Sequence, residues 1–134
     1  MEVKTMLNFN SIMVNTQNLE RLSKFYSQVF EKEPDMTDEG YSGFMVGAAF
    51  FSLGYHDKIQ GESKDPDRIL FNFETVDVKG EFERVSKIEA VKTVKEPYSM
   101  GEDSKFWIAT LADPDGNLFQ LVTPWEDMKN DIKN

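Results

Sequence analysis

The mostly apolar stretch from Phe9 to Val14, broken only by Asn10 and Ser11, reads as a strand. Asn15 to Asn18 then offers capping side chains, and Leu19, Leu22, Phe25, Tyr26, Val29 and Phe30 follow at helical spacing until Glu33-Pro34 stops the helix. Tyr41 to Val46 and Ala48 to Leu53 read as strands divided by Gly47, with room for a short extra strand around Glu33 to Met36. A polar, charged connector runs from Tyr55 to Asp67. The pattern then begins again. Ile69 to Phe73 reads as a strand, Asp77 as a helix cap, Val78, Phe82, Val85 and Ile88 as a helical face, and Ala90 to Val94 as another strand. Two apolar runs close the series, Phe106 to Leu111 and Leu118 to Val122, joined by Asp113-Pro114-Asp115-Gly116-Asn117. Pro114 presets φ, Gly116 tolerates positive φ, and Asp115 and Asn117 can bond their own backbone, so this pentapeptide predicts a hairpin.

The repetition has a register. Ile12 and Ile69, Val14 and Phe71, and Phe25 and Phe82 match at one offset of 57 (69 − 12, 71 − 14, 82 − 25). The expected fold is therefore α+β: two tandem βαβββ half-modules, about 6–56 and 66–125, forming a curved mixed sheet with helices on its outside. A chain of 134 residues suits one such domain. The polar end, Trp125 to Asn134, is expected to fray or to form a short helix.

Composition narrows the function. A formal charge of −9 without any Lys/Arg run argues against nucleic acid or an anionic membrane as partner. The absence of cysteine removes disulfides, thiolate nucleophiles and Cys-bound zinc, and suits a reducing cytosol. Met1-Glu2-Val3-Lys4 does not begin a basic-then-apolar leader, and the longest near-apolar stretch, Phe44 to Tyr55, is too short and Gly-broken to span a bilayer. The expected location is cytoplasmic.

Three features together, the βαβββ order found twice, Phe25-Tyr26 in the first helix, and the Asp113 to Asn117 turn before the last strand, make the chain resemble the vicinal oxygen chelate superfamily. That superfamily includes glyoxalase I, extradiol dioxygenases and bleomycin-resistance proteins. The resemblance implies a metal ligand, usually glutamate, at the place of Gln120, and a histidine fourteen residues before the Phe-Tyr pair, which falls on Ser11. The offset of 57 carries Ser11 onto Arg68, and aligning Phe51-Ser52-Leu53 with Phe119-Gln120-Leu121 sets Ser52 opposite Gln120. Two hydroxyls, a guanidinium and an amide are poor donors for a divalent ion. The single histidine, His56, lies in the polar connector and reads as a surface residue. Neither a metal nor another cofactor is expected.

Other chemistry is equally thin. The chain has no Gly-x-Ser-x-Gly, Gly-x-Gly-x-x-Gly, phosphate-binding loop or His-Glu-x-x-His, and its acidic clusters sit in turn-rich segments as solvated charges. No catalytic residue is assigned. Strand alternation instead predicts a ligand-binding face of Ser11, Met13 and Asn15, Phe50 and Ser52, Arg68, Leu70 and Asn72, and Leu118 and Gln120, while Ile12 and Val14 pack on the helices. Trp107 is added as an aromatic wall, with Phe44 and Tyr98 as further candidates, and the sequence leaves the facing of all three open. Such a mostly apolar surface with a few polar groups suits a small molecule, anionic or aromatic. Arg68 has two readings: a fork onto a ligand carboxylate or phosphate, or a strand-entrance ion pair with Asp65 or Asp67. The leading expectation is a metal-free small-molecule-binding protein, and the resemblance implies a homodimer. The alternatives are a metal-dependent glyoxalase-like lyase or dioxygenase using departed ligands such as His56, and a fold kept for protein interaction.

Overall fold

The computed structural model describes residues 5–124. Its strands hydrogen-bond as two four-stranded mixed sheets, one in each half of the chain, and the chain divides into two compact units between Gln60 and Gly61. The expectation for Trp125 to Asn134, fraying or a short helix, and the reading of residues 1–4 lie outside the described residues.

The first half is β1 (Ser11–Thr16), α1 (Leu19–Phe30), β2 (Met36–Asp38), β3 (Tyr41–Val46) and β4 (Ala49–Tyr55), with sheet order β1-β4-β3-β2. The strand β1 runs parallel to β4, and the remaining pairs are antiparallel. The helix α1 starts where the Arg21 backbone N–H donates to Asn18 Oδ1, filling one of the open donors of a helix N-terminus. It stops at Glu31, left-handed at φ 56, whose N–H returns to the Ser27 carbonyl. Leu22, Phe25, Tyr26 and Val29 form its buried stripe. The Tyr26 ring lies 4.8 Å from Phe51 and the Phe30 ring 5.2 Å from Phe44, so aromatic packing fixes the helix to one face of the sheet. Burial of each such side chain contributes roughly 1.5–3 kcal/mol. Gly47, at φ 60, turns β3 tightly into β4, Val46 pairing with Ala49.

The second half is β5 (Leu70–Glu74), α2 (Val78–Val85), β6 (Lys92–Ser99), β7 (Trp107–Ala112) and β8 (Leu118–Val122), ordered β5-β8-β7-β6. Again the first strand is parallel to the last, and Val78, Phe82 and Val85 bury the helix stripe. The predicted hairpin is present. Asp113, only 2% exposed, accepts from the backbone N–H groups of Asp115 and Asn117 and from Asn117 Nδ2, with Gly116 at φ 81.

Boundaries move relative to the sequence reading: the extra strand expected around Glu33 to Met36 is β2 at Met36–Asp38, β4 runs on to Tyr55, and two elements of the second half shift as well. The strand expected at Ala90 to Val94 is β6, Lys92–Ser99, because Ala90 is left-handed at φ 72 and belongs to the turn before it. The helix α2 ends at Val85, and Ile88 sits in a following turn with its N–H on the Val85 carbonyl.

The repeat itself also shifts. In each half a threonine hydroxyl accepts the N–H of the helix cap, Thr16 from Asn18 and Thr75 from Asp77, and the cap side chain accepts from the residue three further on, Arg21 or Gly80. These pairs stand 59 residues apart (75 − 16, 77 − 18, 80 − 21), not 57. The side-chain facing survives, since a slip of two keeps strand parity. The counterpart of Ser11 does not: it becomes Leu70 in place of Arg68.

Candidate functional site

Each sheet has one face against its helix and one face without a helix, and cross-strand pairing states which residues share the latter. In the first half Ser11, Met13 and Asn15 pair in register with Phe50, Ser52 and Gly54, which pair in turn with Met45, Gly43 and Tyr41. The five residues expected there, Ser11, Met13, Asn15, Phe50 and Ser52, thus share the helix-free face. Met13 is 55% exposed and Ser11 and Asn15 are exposed, while Val14 and Thr16, on the alternate positions, are buried. Gly43 leaves the space that the Phe50 ring fills; a β-carbon on Gly43 would collide with that ring. Asn15 Oδ1 and Met13 Sδ lie in the same way over Gly54. The Ser52 hydroxyl is engaged, donating to the Ile12 carbonyl at 3.1 Å.

In the second half Leu70, Asn72 and Glu74 pair with Leu118, Gln120 and Val122, and these with Ala112, Thr110 and Ile108. Leu70, Asn72, Leu118 and Gln120 therefore share the helix-free face as expected. Gln120 Nε2 donates to Thr110 Oγ1 at 3.0 Å. The strand alternation missed Thr110 and Lys95, which the pairing of β6 with β7 brings opposite each other; the hairpin register, once drawn outward from Gln120, would have reached Thr110.

Two expected members fall elsewhere. Trp107 is on the opposite face from Gln120, where Lys79 of α2 holds its ammonium 4.0 Å from the ring centroid. Alternation explains the placement: Ile108, not Trp107, is the cross-strand partner of Val122. Phe44 is likewise turned inward, buried beneath Phe30, whereas Tyr98 pairs with Ile108 and shares the Gln120 face. Arg68 closes a short 3-10 turn, Pro66–Arg68, ahead of β5 and is exposed, so strand alternation never reaches it. An open hollow of about 470 Å³ lies against Lys64, Asp65, Pro66, Asp67 and Arg68. Among the described residues Arg68 forms no ion pair with Asp65 or Asp67; only its backbone N–H bonds the Asp65 carbonyl.

A glyoxalase-like domain model matches residues 11–122, from the first residue of β1 to the last of β8. The chain belongs to the glyoxalase-like family. Solved structures agree on the fold. A glyoxalase-related enzyme from Fulvimarina pelagi is similar at TM-score 0.72 and 13% identity, over 89% of each chain. A glyoxalase/bleomycin resistance protein from Albidiferax ferrireducens matches at TM-score 0.67 and 20% identity, over 87% of this chain and 98% of that one. The fosfomycin resistance protein FosX from Mesorhizobium loti matches at TM-score 0.63 and 18% identity, over 90% and 94%. No curated protein matches the chain.

The metal that glyoxalase-like metalloenzymes hold does not fit the residues present. In the register the structure gives, its expected donors are replaced by Ser11, Ser52, Leu70 and Gln120; the Ser52 hydroxyl and Gln120 amide already serve neighbours, and Leu70 has no donor atom to offer. Among the described residues no three His, Asp or Glu side chains come together as a metal-binding group. His56 is exposed in the connector, where its Nδ1 accepts the Lys58 N–H at 3.1 Å. No helix among the described residues is long and apolar enough to cross a membrane.

Proposed function

We propose that this glyoxalase-like chain binds a small molecule without a metal ion, on the helix-free faces of its sheets. One observation carries the reading: the polar groups at the family's ligand positions are hydrogen-bonded to their own sheet, as Ser52 is to Ile12 and Gln120 to Thr110, while apolar side chains such as Met13 and Leu70 stand exposed beside them. The names of relatives that carry bleomycin and fosfomycin resistance support a ligand-handling role of this kind. The ligand is anionic or aromatic, and the protein works as a homodimer in the cytoplasm.

Metal analysis of the purified protein, with melting followed in the presence of Zn, Ni, Mn, Fe and a chelator, tests the metal-free part. The expected result is no stoichiometric ion and no loss of stability on chelation. A stoichiometric ion whose removal lowers the melting temperature would replace this reading with a glyoxalase-like lyase or a dioxygenase. A thermal-shift panel of metabolites and antibiotics then tests the binding part, with stabilisation by at least one compound expected. Sedimentation gives the assembly state. Titrating acidic metabolites against Arg68→Met decides whether Arg68 belongs to the site, and unchanged binding would remove it.

A further inference from the structure

On the helix-free face of the second sheet, one line of cross-strand partners is polar from edge to edge. Asn72 on β5 pairs with Gln120 on β8, Gln120 with Thr110 on β7, and Thr110 with Lys95 on β6. With strands spaced by about 4.8 Å, the line spans about 14 Å, the length of a small extended metabolite. Its neighbours on one side are Glu74, Val122, Ile108 and Tyr98.

The line is also electrically directed. Lys95, on the β6 edge, makes no ion pair among the described residues, and its ammonium stands 5.3 Å from the Tyr98 ring. Lys92, on the same edge, is instead drawn to Glu62 at 4.0 Å. The opposite edge carries the Glu74 carboxylate and the exposed Asn72 amide. Between the edges Gln120 gives its amide N–H to Thr110, a residue only 7% exposed, which fixes the Gln120 head group and leaves its carbonyl oxygen to accept from a ligand. An anion is favoured at the Lys95 end and repelled at the Glu74 end, so the face orients a ligand as well as holding it.

We infer that the Asn72–Gln120–Thr110–Lys95 line binds a small carboxylate that also carries an amide and an apolar group. The carboxylate pairs with Lys95, the amide N–H donates to the Gln120 carbonyl oxygen, and the apolar group lies on the Val122–Ile108–Tyr98 row. This rests on the small-molecule reading above and assigns the anion to Lys95, not to Arg68.

The test uses N-acetylphenylalanine and its uncharged amide, titrated calorimetrically against the whole protein and its Lys95→Met, Lys95→Glu and Gln120→Leu variants. The acid is expected to bind at least about tenfold more tightly than the amide, as a charge-assisted hydrogen bond of this kind warrants. Lys95→Met should abolish that preference, Lys95→Glu should reverse it, and Gln120→Leu should weaken both probes. Equal binding of the two probes, or an unchanged acid affinity in Lys95→Met, would overturn the assignment. If other compounds of the panel bind and neither probe does, this inference fails while the small-molecule reading stands; if nothing binds, both fail.

Discussion

The two halves of this chain are built on one frame and present different chemistry on it. Both begin with a strand parallel to the last strand of the same half, and both cap their helix through a threonine hydroxyl and an Asn or Asp side chain. Both bury one helix stripe on one sheet face. The helix-free faces then part company. In the first half that face holds Met13, Met45 and Phe50, adaptable apolar side chains around a glycine. In the second it carries an amide, amide, hydroxyl and ammonium in line. The frame is fixed by backbone donors that must be satisfied and by core volume that must be filled, whereas the exposed positions of the helix-free face, such as Met13, Met45 and Asn72, are under neither demand, so their chemistry is free to differ.

The sharpest break of this contrast is between adjacent residues of β8. Phe119 is fully buried and Gln120 faces away from the helix, so Phe119→Ala should cost about 3–5 kcal/mol in denaturant unfolding while Gln120→Leu costs less than about 1 kcal/mol. Equal losses would mean that both faces support the fold. Next come the turns that close each half. Asp113→Ala strands the backbone donors of Asp115 and Asn117 and should cost about 1–3 kcal/mol, and Gly47→Ala in the first half, forced to positive φ, about 1–2 kcal/mol. The caps should be matched: Asn18→Ala and Asp77→Ala are each expected to lose about 1 kcal/mol, and a large inequality would deny them equivalent roles.

The smallest effect is acid sensitivity. In the first half the Lys32 ammonium and the Met45 N–H hold the Asp35 carboxyl below its ordinary value of 3.8; in the second, Arg84 lowers Glu81 from 4.5. A carboxyl whose folded pKa is depressed contributes stability above its unfolded pKa and loses it as pH falls through the folded value. Asp35→Asn should therefore lower the melting temperature slightly at pH 6 and not at pH 2, and Glu81→Gln should do the same. A difference that grows toward acid would reverse the assignment.

The frame was largely legible in the sequence because alternation and helical spacing record burial directly, and the helix-free face was legible through parity alone. Ser52 and Gln120 hold matching positions in the two halves, as aligning their strands implies, since Ser52 pairs with Met13 as Gln120 pairs with Asn72. Arg68 enters the face at the level of sequence for a definite reason: apolar matches tolerate a slip of two residues, and the side-chain caps, which bond single named donors, fix the offset at 59 (77 − 18). The facing of Trp107 stays open in the sequence because an aromatic residue at a strand end satisfies either face until its cross-strand partner is known. The strand β6 was blurred because an edge strand that contains Pro97 and register shifts carries little alternation. Lys95 was invisible for the same reason.

Gly43 and Phe50 are in effect one position written at two places in the chain. The ring occupies the volume that a side chain at 43 would need, so neither residue can be varied alone without the other responding. A graft such as Gly43→Leu with Phe50→Gly would move bulk from β4 to the neighbouring strand while leaving the summed volume of the face nearly unchanged. Such a paired exchange offers a way to reshape what this half recognises without disturbing its core.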